Sequence, residues 1–186
     1  MLDGSYNSAA NAVKNDMAIK SDVAFTPDSG PLDPRLDHSV GRRGIPFLDW
    51  GNHTGFSMIR NQPNGGPYSP KKYIFTKAEK AAGLTETGGW GHQTYNAYNI
   101  TIIRFADVLL MAAEAEIEVG SLAKALEYTN MVRGRAANAT DYVMIDGKPA
   151  ANYKIAVYDS FPTKEFARSA VRFERRMELG MEGYRF

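Results

Sequence analysis

With 186 residues and 44% hydrophobic content, the chain has material for one packed domain or part of a larger one. Its 22 basic and 21 acidic residues leave a net charge of +1, which gives no electrostatic footprint for nucleic acid or an anionic membrane surface. Cysteine is absent, so disulfides, thiolate metal sites, cysteine nucleophiles and a lipidated cysteine are excluded within this sequence.

The opening stretch "MLDGSYNSAANAVKND" has no basic segment leading into an apolar run, the pattern of a signal peptide. Apolar spacing at Tyr6, Ala9, Val13 and Met17 predicts a helix over Tyr6 to Ile19. Beyond it, residues 1–99 form a loop-rich region with turn signals at "TPDSGPLDP", "NQPNGGPYSP" and "TGGWG" and one short helical piece near Thr76 to Ala82. Loops of this length are usually functional or disordered. The aromatics Phe47, Trp50, Phe56, Tyr68, Tyr73, Phe75, Trp90, Tyr95 and Tyr98 speak for order, because disordered segments are depleted in them.

Within that region "GRRGIPFLDWG" joins two arginines to Ile45, Phe47 and Trp50 between glycines. Ile45, Phe47 and Phe75 are expected to be buried. Trp50 and Trp90, each beside glycine, are candidates for a ligand surface. A pyranose ring stacks its C–H face on indole or phenol, and its hydroxyls suit forked donors. On that chemistry the candidate ligand residues are Trp50, Trp90, Tyr68 and Arg42, with Arg43, Asn52, Asn61 and Asn64 available for the hydroxyl rim.

Residues 100–186 read as helical. "TIIRFADVLLMAAEAEIEVG" carries one apolar stripe of Phe105, Val108, Leu109, Ala112 and Val119 and a second of Ile103, Leu110, Ala113 and Ile117, which predicts packing on two sides. Asp107, Met111, Glu114 and Glu118 form the remaining, mostly polar face. The longest unbroken apolar run, Val108 to Ala113, is far too short to span a bilayer. Gly120 suits a left-handed helix end and Ser121 a following N-cap, so "SLAKALEYTNMVRGRA" folds back as an antiparallel partner through Leu122, Ala125, Leu126, Thr129 and Val132. That hairpin resembles a tetratricopeptide repeat in its small residues Ala113 and Ala125. After a loop from Ala137 to Pro162, Thr163 caps a last helix with an apolar face of Phe166, Ala170, Phe173, Met177 and Gly180 or Met181. The run "RFERRMELGMEGYR" reads as a charge-laced helix surface or ion-pair network.

Catalytic and metal chemistry find little support. Asp28, Asp33, Asp37 and Asp49 beside His38 invite a glycosidase reading, but such acids more often start turns or pair with Arg35, Arg42 and Arg43. His38, His53 and His92 have no ligand spacing, no glycine-flanked serine elbow is present, and "GGPYSPKK" is not a phosphate loop. No metal or cofactor is implied.

Taken together, "DPRLDHSVGRRGIPFLDWG", "GGPYSPKK", "IIRFADVLLMAAEAEIEVGSLAKALEYTNMVRGRA" and "AVRFERRMELGMEGYRF" resemble the C-terminal part of the SusD/RagB family of nutrient-binding outer-membrane lipoproteins, from about residue 22 onward. The resemblance implies a mainly α fold of tetratricopeptide-like hairpins with long ordered loops, incomplete here at both ends. It implies a non-catalytic, surface-exposed glycan or nutrient binder that lids a SusC-like TonB-dependent transporter, anchored by a lipid outside this sequence. It carries over no ligand residue. The alternatives are a tetratricopeptide-like protein-interaction scaffold and a glycoside hydrolase using two loop aspartates such as Asp37 and Asp49.

Overall fold

A computed structural model describes residues 12–85 and 101–183. Among these the chain is mainly helical, with α1 (Arg35–Ser39), α2 (Gln62–Gly65), α3 (Lys77–Ala81), α4 (Phe105–Val119), α5 (Leu122–Ala136) and α6 (Lys164–Glu178). Strand is confined to two small antiparallel pairs, β1 (Val40–Gly41) with β2 (Ser69–Pro70), and β3 (Met144–Ile145) with β4 (Lys148–Pro149). None of these helices is long and apolar enough to cross a membrane.

The core lies where α4, α5 and α6 meet. Leu110, Ala113 and Ile117 of α4 interlock with Ala125 and Val132 of α5 and with Phe161, Ala167, Ala170 and Val171. Alanines at the centre let the three backbones approach closely. Thr129 is fully buried there because its hydroxyl donates to the Ala125 carbonyl at 2.7 Å. Gly120 and Ser121 join α4 to α5, one residue more than a lone glycine joint, and Ser121 caps α5 by accepting from the Ala123 amide. Gly120 is not left-handed: its φ is −125°. A Cβ there would stand 2.0 Å from the Glu116 carboxylate, which folds back onto the Ser121 amide, so a larger residue would have to push that side chain off its hydrogen bond.

Three faces differ from expectation. Of the second stripe, Leu110, Ala113 and Ile117 are buried but Ile103 is not, while Phe105, Val108 and Val119 of the first are exposed at 68%, 45% and 90%. The face expected to meet solvent turns instead toward α6, with Asp107 2.9 Å from Arg175 and Glu118 2.6 Å from Arg168. On α6 the deepest face carries Ala167, Ala170, Val171, Glu174 and Glu178; of the expected stripe Phe166, Ala170, Phe173 and Met177, Ala170 is buried, and the rest of the face lies one position round. Acids can occupy it because arginines from other elements neutralise them. The helix expected over Tyr6 to Ile19 lies outside the described residues up to position 11. From 12 to 19 the chain is non-helical, with a turn at Met17–Ala18 where Ala18 has φ +61°.

Candidate functional site

The glycine-bounded segment folds as a narrow loop stitched across its base. Gly44 N–H donates to the His53 carbonyl and His53 N–H to the Ile45 carbonyl, both at 2.9 Å, and Pro46 bridges Asn52. Ile45 and Phe47 point inward and are buried, as expected. The Phe47 ring meets His53 edge-on at 5.7 Å and lies 2.6 Å from where a Cβ on Gly41 would sit, so no larger residue fits at position 41. Phe47 N–H donates to the Gly51 carbonyl and Trp50 N–H to the Phe47 carbonyl, which closes the tip and leaves Trp50 outside at 37% exposure.

Trp50 is exposed but held. Its indole N–H donates to the Phe75 carbonyl at 2.8 Å, and its ring meets the Phe75 ring edge-on at 5.8 Å. Lys77 Nζ stands 5.5 Å from its centroid, within cation–π range. Next to it, the Asp49 carboxylate accepts from the amides of Lys77 and Ala78 at 2.7 and 3.1 Å and so caps α3. Those backbone donors, Lys77 first, hold the Asp49 carboxyl below its ordinary pKa. A second tie lies beneath, where buried Lys71 donates to the carbonyls of Asp37 and Pro46. Burial lowers the Lys71 pKa. The tip of loop 46–52 and the segment 71–78 are thus fixed to each other at four points.

The other expected ligand residues are placed differently. Arg42 is 3% exposed and clamps Asp37 through Nε at 2.6 Å and Nη2 at 2.8 Å, out of reach of a ligand on the surface. Its neighbour Arg43 staples the preceding loop by donating to the carbonyls of Lys20 and Ser21. Tyr68 is half-buried, its hydroxyl donating to the Val13 carbonyl at 3.4 Å, and burial raises its pKa. Trp90 lies outside the described residues.

The four loop aspartates are all committed. Asp28 accepts from the amides of Lys14 and Gly30, Asp33 and Asp37 hold Arg35 and Arg42, and Asp49 caps α3. His38 reaches the Asp141 carbonyl at 2.8 Å and His53 the Ser69 hydroxyl at 2.9 Å; His92 lies outside the described residues. Among the described residues no group of three or more His, Asp or Glu is placed to hold a metal ion.

The "RFERRMELGMEGYR" run builds a buried network rather than a surface lattice. Glu174 and Glu178, almost without exposure, take Arg35 from the loop half, Arg104 from before α4, and Arg133 and Arg135 from α5. Glu182 adds Arg104 and Lys72. A cleft of about 320 Å³ opens over this network, lined among others by Arg35, His38, Lys72, Arg104 and Glu182. Burial works to raise the carboxyls of Glu178 and Glu182, but hydrogen bonds from Arg104 and neighbouring cations outweigh it and hold both below their ordinary values. With carboxylates answering these cations, the network reads as a clamp between the loop half and the helices.

Sequence reasoning passed over Lys71 and the Phe75 carbonyl. "SPKK" marks Lys71 only as one of two lysines, and a backbone acceptor leaves no trace in residue type. For Glu174 and Glu178 a signal existed, since both stand at helical spacing from Ala167, Ala170 and Val171. A family model described as the SusD family matches residues 2–186. No curated protein matches the chain.

Proposed function

Because this chain belongs to the SusD family, we propose that it is a non-catalytic binder of oligosaccharides at the cell surface and passes them to a SusC-like TonB-dependent outer-membrane transporter. Family membership supports nutrient or glycan binding in general. The braced, exposed indole of Trp50 supports carbohydrate in particular, and it is the observation that carries the reading. Its N–H and edge are spent on Phe75, so the ring is set before a sugar arrives and little ordering entropy is lost on binding. Tyr68 and Trp90 remain proposed contacts, whereas Arg42 acts from beneath, through Asp37 and Lys71, by holding the platform in place.

In this reading Trp50→Ala in the full chain weakens oligosaccharide affinity about tenfold, as the loss of one ring contact should. Thermal stability shifts little, because the ring is partly exposed. Titration calorimetry beside thermal melts measures both. Unchanged affinity would remove the platform and leave the family membership intact.

A second reading, an interaction scaffold, draws on the apolar groove of about 370 Å³ between α4 and α5, lined by Phe105, Leu109, Met131 and Val132 between Arg104 and Arg135. Capture of the transporter by the full chain, lost in Met131→Lys, together with silence toward oligosaccharides, would favour it.

A further inference from the structure

Resting on the proposed carbohydrate platform, a second aromatic on the same braced segment stands out by its backbone. Residues 71–74 form a tight turn closed by Ile74 N–H donating to the Lys71 carbonyl at 3.3 Å. Its third position is Tyr73, at φ +65°. Turns with positive φ there favour glycine or asparagine, and a bulky aromatic in that conformation is an outlier. The neighbouring residues explain why the conformation persists. Lys71 N–H donates to the Ser39 carbonyl while its ammonium is anchored in the interior, and Lys72 donates to the Glu178 carbonyl and to Glu182. The turn is therefore held by the two lysines that precede Tyr73 and by the hydrogen bond that closes it.

Packing gives no reason for the ring. Tyr73 is 54% exposed, and its neighbour Ile74 37%. A partly exposed phenol is thus carried on a left-handed backbone that its neighbours hold in place. Backbone strain of this kind gathers at ligand clamps, where the surrounding structure enforces it. Tyr73 lies two residues before Phe75, whose carbonyl fixes Trp50, and two residues of chain span at most about 7 Å. Leu48, at φ +53°, lies two residues before Trp50 in its own loop. Each of the two loops that meet at this surface thus holds a side-chain-bearing residue in a left-handed conformation close to an exposed ring.

We propose that Tyr73 is a second stacking residue of the Trp50 platform, so that the surface takes two rings of one linear oligosaccharide rather than a single sugar. A two-ring surface favours chains over monosaccharides, since each added unit stacked without further loss of translational freedom contributes directly to affinity.

The test is calorimetric titration of the full chain with linear hexasaccharides of α-linked glucose, β-linked glucose, β-linked xylose and β-linked mannose, with thermal melts of each variant. For the tightest of these, Tyr73→Gly is expected to weaken affinity about tenfold. Its Tm stays level or rises, because glycine accepts the positive φ. Tyr73→Phe keeps the ring and the parental affinity. Unchanged affinity with a lowered Tm in Tyr73→Gly would make Tyr73 a packing residue and overturn the inference. Weakened binding in Trp50→Ala but not in Tyr73→Gly would overturn it too, leaving the Trp50 platform standing. Parental affinity in both variants, or no hexasaccharide bound by the parent chain, would bring down the platform and the second ring together.

Discussion

Asp37 is fully buried, yet it ties a near neighbour to two distant stretches of chain. Its carboxylate takes the forked guanidinium of Arg42 and, at 2.6 Å, the hydroxyl of Tyr153, while its backbone carbonyl takes Lys71. Burial, followed by the hydrogen bond to this carboxylate, drives the Tyr153 phenol far above its ordinary pKa. Removing one partner from such a set leaves the other charged and unsolvated, which makes a broken buried pair much worse than an absent one. Asp37→Asn is therefore expected to destabilise the chain by about 3–5 kcal/mol in urea unfolding. Asp49→Asn, at an exposed cap, is expected to lose far less. The contrast separates the two aspartates that a hydrolase reading would treat alike. Both were visible in the sequence as acids near arginines, but only the fold distinguishes a buried anchor from a surface cap.

At the level of elements, α6 carries its charge where a core face would be expected. Glu178 is held below its ordinary value of 4.5 by Arg104, Arg135 and Arg35 acting against burial, and Glu182 by Arg104 and Lys72. A carboxyl depressed in the folded state contributes stability that is present above its unfolded pKa and lost as pH falls through the folded one. The Tm should therefore hold level from neutral pH to about pH 5 and decline below about pH 4.5. Glu178→Gln should melt earlier at neutral pH and show a shallower acid decline. A pH series of thermal melts on both proteins checks slope and sign, and equal slopes would show that the clamp does not govern acid stability. The helices themselves were largely legible: α3, α4, α5 and α6 fall where capping residues and apolar period put them. Which face of each is buried was less so, because α4 and α6 join through acid–arginine pairs that hydrophobic patterning scores as solvent-facing. The loop half was legible in its inward residues Ile45 and Phe47, while the brace on Trp50 runs through backbone carbonyls that no residue type announces.

At the scale of the whole molecule, the described residues finish the helical layer on one side only. Two apolar stripes on α4 predict two packed sides, and the described residues cover one of them. Ile102, Ile103, Phe105, Val108 and Val119 stay open, and the groove that Phe105 lines holds Met131 at 49% exposure. An apolar surface of this extent is a contact surface or a source of self-association. Its energetics differ from those of the core a few ångströms away. Leu110→Ala removes a side chain with no exposure and is expected to destabilise by about 2–5 kcal/mol. Phe105→Gln combined with Val108→Lys replaces groups already in water and is expected to change the unfolding free energy by no more than about 0.5 kcal/mol per site. The double variant should nonetheless bind less of a hydrophobic dye, because apolar groups open to solvent have been replaced by polar ones. If unfolding instead shows a loss of more than about 2 kcal/mol, the stripe is packed against something in the folded chain, and the second side of α4 is covered after all.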